Sequence, residues 1–208
     1  MSEEFEARAG APQQSPQEGA EEQEKLPQEE LFYWLQTLVT AIVCIVLVFT
    51  FLGRITRVVG HSMDDTLADG ELLAVWSLGY EPEQGDIVVL NKTTADFLEG
   101  EAIVKRVIAL EGQTVDIDYQ TGTVYVDGEA LDEPYLNEPM EEPWYEDLTS
   151  VTVPEGSVFV MGDNRNHSND SRDVTLGTVD ERYVLGRAVC VLLPFQNFGM
   201  IPEGEQTR

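Results

Sequence analysis

The feature that most limits the architecture of this chain is an uncharged run, because residues 31–53 contain no acidic or basic side chain. As a helix this run would span roughly 34 Å, compared with about 30 Å for the hydrocarbon core of a bilayer. Tyr33 and Trp34 lie at one end, where aromatic side chains favour the membrane interface. The run is apolar on every side, which argues against the buried helix of a soluble protein. We predict a transmembrane anchor helix over residues 31–53.

The residues that flank the run indicate whether it is cleaved as a signal peptide and how it is oriented in the membrane. A cleaved signal peptide is disfavoured, because the preceding region is acidic and no small-residue cleavage site follows Leu52 before Arg54. Arg54 and Arg57 follow the run, whereas Lys25 precedes it. The positive-inside rule, which is weak for one span with a large domain, therefore favours a cytoplasmic C-terminal part.

Charge is distributed very unevenly along the chain. Residues 1–30 hold nine Glu and two basic residues with no apolar periodicity, so we predict a disordered acidic tail there. The whole chain has 39 acidic and 12 basic residues, for a net charge of −27. This balance excludes general nucleic-acid binding, which needs a basic face. Two His and two Cys without clustered spacing do not make a four-ligand zinc site.

Short segments rich in Val, Ile, Leu and aromatic residues follow the span. Turn signals such as Gly85-Asp86 and Asp127-Gly128 separate them, and none has a sustained helical period. We predict an all-β domain over residues 54–208, barrel-like or sandwich-like, with an exposed insertion at residues 133–150. The predicted strands cover residues 71–76, 86–91, 102–110, 114–118, 122–126, 157–161 and 183–193.

Two polar segments, residues 60–67 and 162–172, stand out from this apolar background, and a predicted strand between them carries Lys105. Because side chains alternate along a strand, Lys105 shares its face with three apolar residues. Burial there would disfavour the ammonium and lower the pKa of Lys105. A neutral amine near Ser62 would be a usable general base. The alternative is an edge strand from which Lys105 extends to solvent.

Other interpretations of these polar residues are open at this point. Ser62 alone is compatible with an ordinary turn residue. A Ser-His-Asp triad would draw its histidine from His61 or His167. Its carboxylate would be Asp163 or Asp170, and these two could also act as paired carboxylates in acid–base chemistry.

Four segments of the chain match known sequence motifs. Residues 60–67, Gly-His-Ser-Met-Asp-Asp-Thr-Leu, match the pattern Gly-x-Ser-Met-x-Pro-Thr-Leu, and residues 85–89 are similar to a Gly-Asp-Ile-Val-Val strand. Residues 105–112 are similar to a Lys-Arg-Val-x-Gly-x-Pro-Gly segment, and residues 162–172 begin Gly-Asp-Asn-Arg. In these four motifs, in this order after one membrane span, the chain resembles the membrane-bound type I signal peptidases, which are bacterial Ser/Lys endopeptidases.

The resemblance implies roles for individual residues. Ser62 would be the nucleophile and Lys105 the general base, with Ser168 holding the lysine amine in place. The backbone N–H of Ser62 would donate to the oxyanion. Met63 would pack beside the nucleophile at the substrate-binding surface.

Several positions depart from the family pattern. Asp65 stands where the family usually has Pro, which affects the rigidity of the turn after Ser62. Ala109 and Glu111 replace Gly and Pro after the lysine strand. Gly60 occupies a position where some members have a Ser that acts as a second oxyanion donor. Loss of one such donor can cost about 100-fold in rate.

The resemblance implies an all-β fold, related to that of LexA-type proteins, behind a single transmembrane helix. The implied reaction is removal of N-terminal signal peptides from secreted preproteins by Ser/Lys acyl transfer, without metal or cofactor. Asp170 and Arg172 would form a salt bridge that braces the site. The implied substrates have small residues at positions −1 and −3 before the cut.

The implied location is the cell membrane, with the catalytic domain extracytoplasmic and the tail cytoplasmic, against the weak charge asymmetry. We expect secretory preproteins and the lipid bilayer as partners, and no nucleic acid. Two alternatives are a self-cleaving Ser/Lys protein similar to LexA-type repressors and a catalytically inactive, membrane-tethered β-domain that serves as a binding scaffold.

Overall fold

The structure is a computed structural model that describes residues 27–51, 53–64, 66–92, 101–142 and 147–201. The predicted disordered tail lies outside the described residues, apart from residues 27–30, which are helical, so the prediction of disorder is wrong for these four positions. Asp65, the departure from the family's Pro, lies outside them too.

One long helix, α1, covers Pro27–Phe51. Its segment Glu30–Leu47 is long and apolar enough to cross a membrane, and the side chains of that segment are exposed. The sequence predicts a span that includes Gly53, whereas Gly53 is the first residue of a strand. Glycine is costly in a helix because it loses more backbone entropy than other residues, which is consistent with this earlier end.

Twelve strands follow in the described residues, and all pairings are antiparallel, so the all-β prediction is confirmed. Seven coincide with predicted strands. Four of the other five have only two or three residues, too few for an alternating pattern. The strands are β1 (Gly53–Arg57), β2 (Leu72–Trp76), β3 (Ile87–Leu90), β4 (Ile103–Ala109), β5 (Thr114–Asp118), β6 (Thr123–Val126), β7 (Glu129–Ala130), β8 (Ser150–Thr152), β9 (Ser157–Met161), β10 (Val179–Asp180), β11 (Val184–Leu193) and β12 (Gly199–Met200).

The strands form two sheets. The larger has the order β1-β2-β11-β3-β4-β9-β10, with β12 paired to β11, and the smaller has the order β7-β6-β5-β8. In the larger sheet β4 is an interior strand between β3 and β9. Lys105 lies opposite Val88 of β3, and its neighbour Arg106 lies opposite Met161 at the end of β9. The register therefore brings the segment that follows β9 next to Lys105.

Strand β4 is buried over six of its seven residues. Val104, Val107 and Ile108 each belong to a different one of the three apolar clusters that make up the core. Lys105 is 3% exposed in the middle of this strand. The alternative of an edge strand with a solvated lysine is therefore wrong.

The predicted exposed insertion is partly built into the domain. Met140 is buried in the apolar cluster that also contains the smaller sheet's Val115 and Val124. The Glu133 side chain is only 7% exposed. Charged and proline-rich composition suggested a solvated loop, but buried partners for these side chains come from elsewhere in the fold.

Candidate active site

Ser62 lies in the connection between β1 and β2. The base of this connection is closed by two backbone hydrogen bonds, from Val58 N to the Glu71 carbonyl (2.8 Å) and from Gly70 N to the Val58 carbonyl (2.9 Å). Met63 is 1% exposed and packs in the core cluster with Val58. The resemblance implies that Met63 packs beside the nucleophile at the substrate-binding surface, whereas in the structure its apolar side chain is buried in the core and the neighbouring Ser62 is partly exposed.

The Lys105 side chain reaches the Ser62 hydroxyl from the sheet. Its Nζ lies 2.5 Å from Ser62 Oγ, at hydrogen-bond distance. Burial lowers the pKa of Lys105 to about 8, because desolvation disfavours the ammonium more than the nearby charges of Asp170 and Asp163 favour it. A substantial fraction of the amine is therefore neutral near pH 8, and a neutral amine can accept the hydroxyl proton.

The segment after β9 holds the Ser62 turn through Asn164. The Asn164 backbone N–H donates to the Ser62 carbonyl at 3.0 Å, and its side-chain Nδ2 donates to the His61 carbonyl at 3.0 Å. The C=O and N–H of a trans peptide point in opposite directions. Asn164 therefore orients the His61–Ser62 peptide so that the Ser62 N–H points away from it.

At Gly162 this segment approaches the turn closely. A Cβ at Gly162 would collide with the Ser62 carbonyl oxygen and with the Ser168 hydroxyl oxygen. Only glycine fits between the two serines. Ser168 is 5% exposed beside Gly162, and its contact with the lysine amine remains a prediction.

A buried ion pair lies behind the lysine. Arg172 Nε and Nη2 donate to the two oxygens of Asp170 at 2.8 and 2.9 Å, and neither side chain is more than 1% exposed. Burial by itself raises the pKa of Asp170, but Arg172 and the N–H of Gly162 hold the pKa below its ordinary value. The carboxylate thus stays ionised, and its charge favours the ammonium of Lys105 once a proton has been accepted.

A second buried pair joins β4 to the end of the Ser62 turn. Arg106 Nε and Nη2 donate to the two oxygens of Asp163 at 2.8 and 2.7 Å. Thr66 Oγ1 donates to Asp163 Oδ2 at 2.6 Å. Arg106 also donates through Nη1 to the Gly85 carbonyl at 2.8 Å. The turn is thereby tied to the strand that carries Lys105.

The residues of the alternative triad do not assemble in the described part of the chain. His61 pairs with Asp64 at 2.9 Å on the exposed surface, and the His167 ring lies 3.2 Å from Asn164 Oδ1. The two candidate carboxylates form ion pairs with arginines, Asp163 with Arg106 and Asp170 with Arg172. Within the described residues, no group of three or more His, Cys, Asp or Glu side chains is placed to hold a metal ion.

Sequence reasoning missed four residues that shape this site: Arg106, Asn164, Gly162 and Thr66. All four lie inside the family motifs at residues 60–67, 105–112 and 162–172, and membership of a motif is the signal by which they could have been found. Their roles depend on partners 57 to 103 positions away in the chain, as the Arg106–Asp163 and Asn164–His61 hydrogen bonds illustrate. No local pattern specifies such pairings.

Comparisons with known proteins find relatives that match most of the chain. A family model described as "Signal peptidase, peptidase S26" matches residues 31–193. A protein named signal peptidase I from Bacillus licheniformis is 38% identical over 184 residues, which cover 84% of this chain and 95% of that protein. Signal peptidase IB from Staphylococcus aureus strain Mu50 is 34% identical over 187 residues, which cover 82% of this chain and 93% of that protein.

A solved crystal structure of a signal peptidase I from Enterococcus faecalis V583 is 34% identical, with a TM-score of 0.43, and the match covers 52% of this chain and 97% of that chain. The comparisons do not favour a self-cleaving repressor or an inactive scaffold, since the relatives that match most of the chain are named signal peptidases.

Proposed function

Because the chain belongs to the signal peptidase family, peptidase S26, we propose that it removes signal peptides from preproteins with Ser62 as the nucleophile and Lys105 as the general base. The observation that carries this assignment is the 2.5 Å separation between Lys105 Nζ and Ser62 Oγ at a lysine that is only 3% exposed. Such burial makes the amine a base near neutral pH, and the separation lets the Ser62 hydroxyl donate its proton to the amine.

The reaction proceeds by acyl transfer. The neutral Lys105 amine accepts the Ser62 proton while Oγ attacks the scissile carbonyl carbon. The resulting ammonium then returns a proton to the leaving amine as the peptide C–N bond breaks, which leaves an ester on Ser62. Lys105 next accepts a proton from water, whose oxygen attacks the ester carbonyl carbon. As the ester C–O bond breaks, the ammonium returns that proton to Ser62 Oγ, which releases the signal peptide and restores the neutral amine. The ionised Asp170 favours the ammonium in both steps.

The Ser62 backbone N–H is the proposed oxyanion donor. The orientation of its peptide by Asn164 supports this role, since an oriented dipole needs no rearrangement when charge develops. Gly60 supplies no side-chain donor. Its N–H donates to Asp69 Oδ1 at 2.8 Å and so shapes the entry to the turn.

The assignment is tested by processing of a secretory precursor with the purified full chain in detergent. Ser62→Ala and Lys105→Ala should each abolish cleavage, whereas His167→Ala should keep most of the activity. The rate should rise with pH through about 8, because the base must lose its proton. An active Lys105 variant together with an inactive His167 variant would overturn the dyad in favour of a histidine mechanism.

Helix α1 is proposed to anchor the chain in the membrane with the β-domain on the extracytoplasmic side. The apolar, exposed segment Glu30–Leu47 supports an anchor, and an enzyme that acts after translocation must lie on the far side of the membrane. Phe195, Phe198 and Met200 are 82%, 62% and 77% exposed, and their apolar surface supports additional contact with lipid. Protease added to intact spheroplasts should therefore digest the β-domain, and full protection of that domain would reverse the orientation.

A further inference from the structure

Residues 133–142, which we call the strap, link the smaller sheet to the polar segment that follows β9. Glu133 is the most buried acidic contact of the strap with this segment. Both Nη atoms of Arg165 donate to its two carboxyl oxygens, Nη1 at 3.1 Å, and the two side chains are 1% and 7% exposed. A buried ion pair with two hydrogen bonds has a defined geometry, and removal of one partner leaves an uncompensated charge.

Arg165 transmits this contact toward the catalytic residues. Its Nε donates to the Gly162 carbonyl at 3.1 Å, and its own carbonyl accepts from Arg172 Nη2 at 2.6 Å. Gly162 is the residue wedged between Ser62 and Ser168. Through the Nε hydrogen bond, therefore, Arg165 helps to set the position of the Gly162 backbone against which the Ser62 carbonyl rests, while Arg172 holds the Arg165 backbone.

Tyr135 of the strap connects Glu133 to the lysine strand. Its hydroxyl donates to Glu133 Oε1 at 2.9 Å, and the Arg106 guanidinium lies 3.9 Å from the centre of its ring. Burial, followed by the charge of Glu133, raises the pKa of Tyr135, so the hydroxyl remains a donor at working pH. Arg106 is the neighbour of Lys105 in β4. The strap thus contacts the supports of both catalytic residues.

We propose that Glu133, held by Tyr135, is a positioning residue for the Ser62–Lys105 pair, acting through Arg165 on the Gly162 backbone. The inference rests on the proposed function, since it needs Ser62 and Lys105 to be the reacting pair. Glu133 does not contact Ser62 or Lys105 in the described structure, and no role for it follows from the motifs. Part of the alignment of Ser62 with Lys105 therefore comes from the strap, which lies outside the larger sheet that carries Lys105.

A displaced Gly162 backbone would move Ser62 relative to Lys105, and the contact between these two residues acts in the chemical step. Misplacement by about 1 Å can cost on the order of 100-fold in rate. Water admitted beside the lysine would also move the pKa of Lys105 from about 8 toward its ordinary value of 10.5. We therefore expect a loss in kcat with KM nearly unchanged, and an acidic limb of the kcat profile that moves to higher pH.

The test is steady-state processing of a precursor by the full chain carrying Glu133→Gln, with Asp132→Asn as the matched control. The control removes the same charge from an exposed neighbouring residue and should keep wild-type kcat and pH profile. Glu133→Gln should lower kcat by about 100-fold with KM within about twofold and should shift the acidic limb upward. Glu133→Asp, which keeps the charge, should recover part of the loss.

A double variant, Glu133→Gln with Arg165→Met, separates positioning from folding. Because both charges are removed, it should unfold at a temperature close to that of the wild type while kcat stays low. It also decides the question if Glu133→Gln alone does not fold.

The proposal is overturned if a folded Glu133→Gln variant keeps wild-type kcat. It is overturned also if the double variant regains wild-type kcat, or if kcat falls only with the folded fraction at an unchanged acidic limb. A wild-type chain that cuts no precursor would instead refute the proposed function, so the two failures are distinguishable.

Discussion

The Ser62 turn and strand β4 supply the two halves of the proposed dyad in opposite ways. Lys105 comes from an interior strand, with neighbours hydrogen-bonded on both sides and 3% exposure. Ser62 comes from a partly exposed connection between β1 and β2, outside the regular ladder. The turn obtains its order from separate contacts, chiefly Asn164 and the Thr66–Asp163 hydrogen bond.

The difference follows from what each group must do. Exclusion of water turns a lysine into a base near neutral pH, and the interior of a sheet excludes water. A nucleophile must meet a substrate, so it cannot be buried to the same degree. Because Ser62 lies outside the sheet, it is held in place by side-chain hydrogen bonds and by the close contact with Gly162 instead of by strand pairing.

The largest expected effect is on activity when Lys105 of β4 is replaced, with a second lysine, Lys92, as the control. Lys105→Met should lower kcat/KM by about 10⁴-fold, because the general base is lost. Lys92→Met should keep most of the activity, since Lys92 donates to the carbonyls of Leu176 and Thr178 instead of a hydroxyl. Precursor processing by the two variants measures the difference, and equal losses would mean that burial of any lysine in this domain matters more than its partner.

The next effect concerns the point where strand and turn meet. Gly162→Ala should reduce kcat by about 100-fold, because the added Cβ must push apart Ser62 and Ser168. Gly199→Ala is the matched control, because a Cβ at Gly199 meets nothing within 4 Å. Kinetics of both variants at pH 9 test this expectation, which an active Gly162→Ala enzyme would contradict.

A smaller effect is expected on the turn side. Thr66→Val should lower kcat by about 10-fold, because it removes the hydroxyl that donates to Asp163 and leaves the Arg106–Asp163 pair in place. Thr175→Val, at an exposed threonine, should have no effect. If Thr66→Val lowered kcat as much as Lys105→Met, the hydrogen bonds from Asn164 would not support the Ser62 turn independently of Thr66.

The smallest effect is one of stability. The folded-state pKa of Lys105, about 8, lies below the ordinary value of 10.5, so the unfolded chain binds more protons between these values. The lysine therefore lowers the free energy of unfolding in full below pH 8, progressively less between pH 8 and 10.5, and not at all above that. Lys105→Met should stabilise the chain by up to about 3 kcal/mol at pH 7.

This stability difference should shrink as the pH approaches 10.5, whereas Ser62→Ala should show no such dependence. Chemical denaturation of the three proteins between pH 7 and 10.5 measures it. A gain for Lys105→Met that is independent of pH would mean that the methionine packs better and that no desolvation cost is relieved.

Much of the fold follows from local pattern. The uncharged run predicts α1 apart from its two ends, and apolar runs between turn signals predict seven of the twelve strands that the structure describes, because both signals depend only on neighbouring positions. The strands of two or three residues and the order of the sheets do not follow, since they depend on pairings with distant segments. The charged composition of residues 133–142 is misleading for the same reason: Glu133 is buried by Arg165, which lies 32 positions later.

The residues of the candidate site divide in a similar way. The chain's own amino acids determined that a serine and a lysine stand in family motifs, that a single apolar span precedes them, and that acidic residues dominate. Only the tertiary structure decided that Lys105 is interior and that Met63 belongs to the core. It also decided that Asp163 and Asp170 pair with arginines instead of histidines. The physical reason is that residue type and spacing are local properties, whereas desolvation and ion pairing are set by whatever the folded chain brings within a few ångströms.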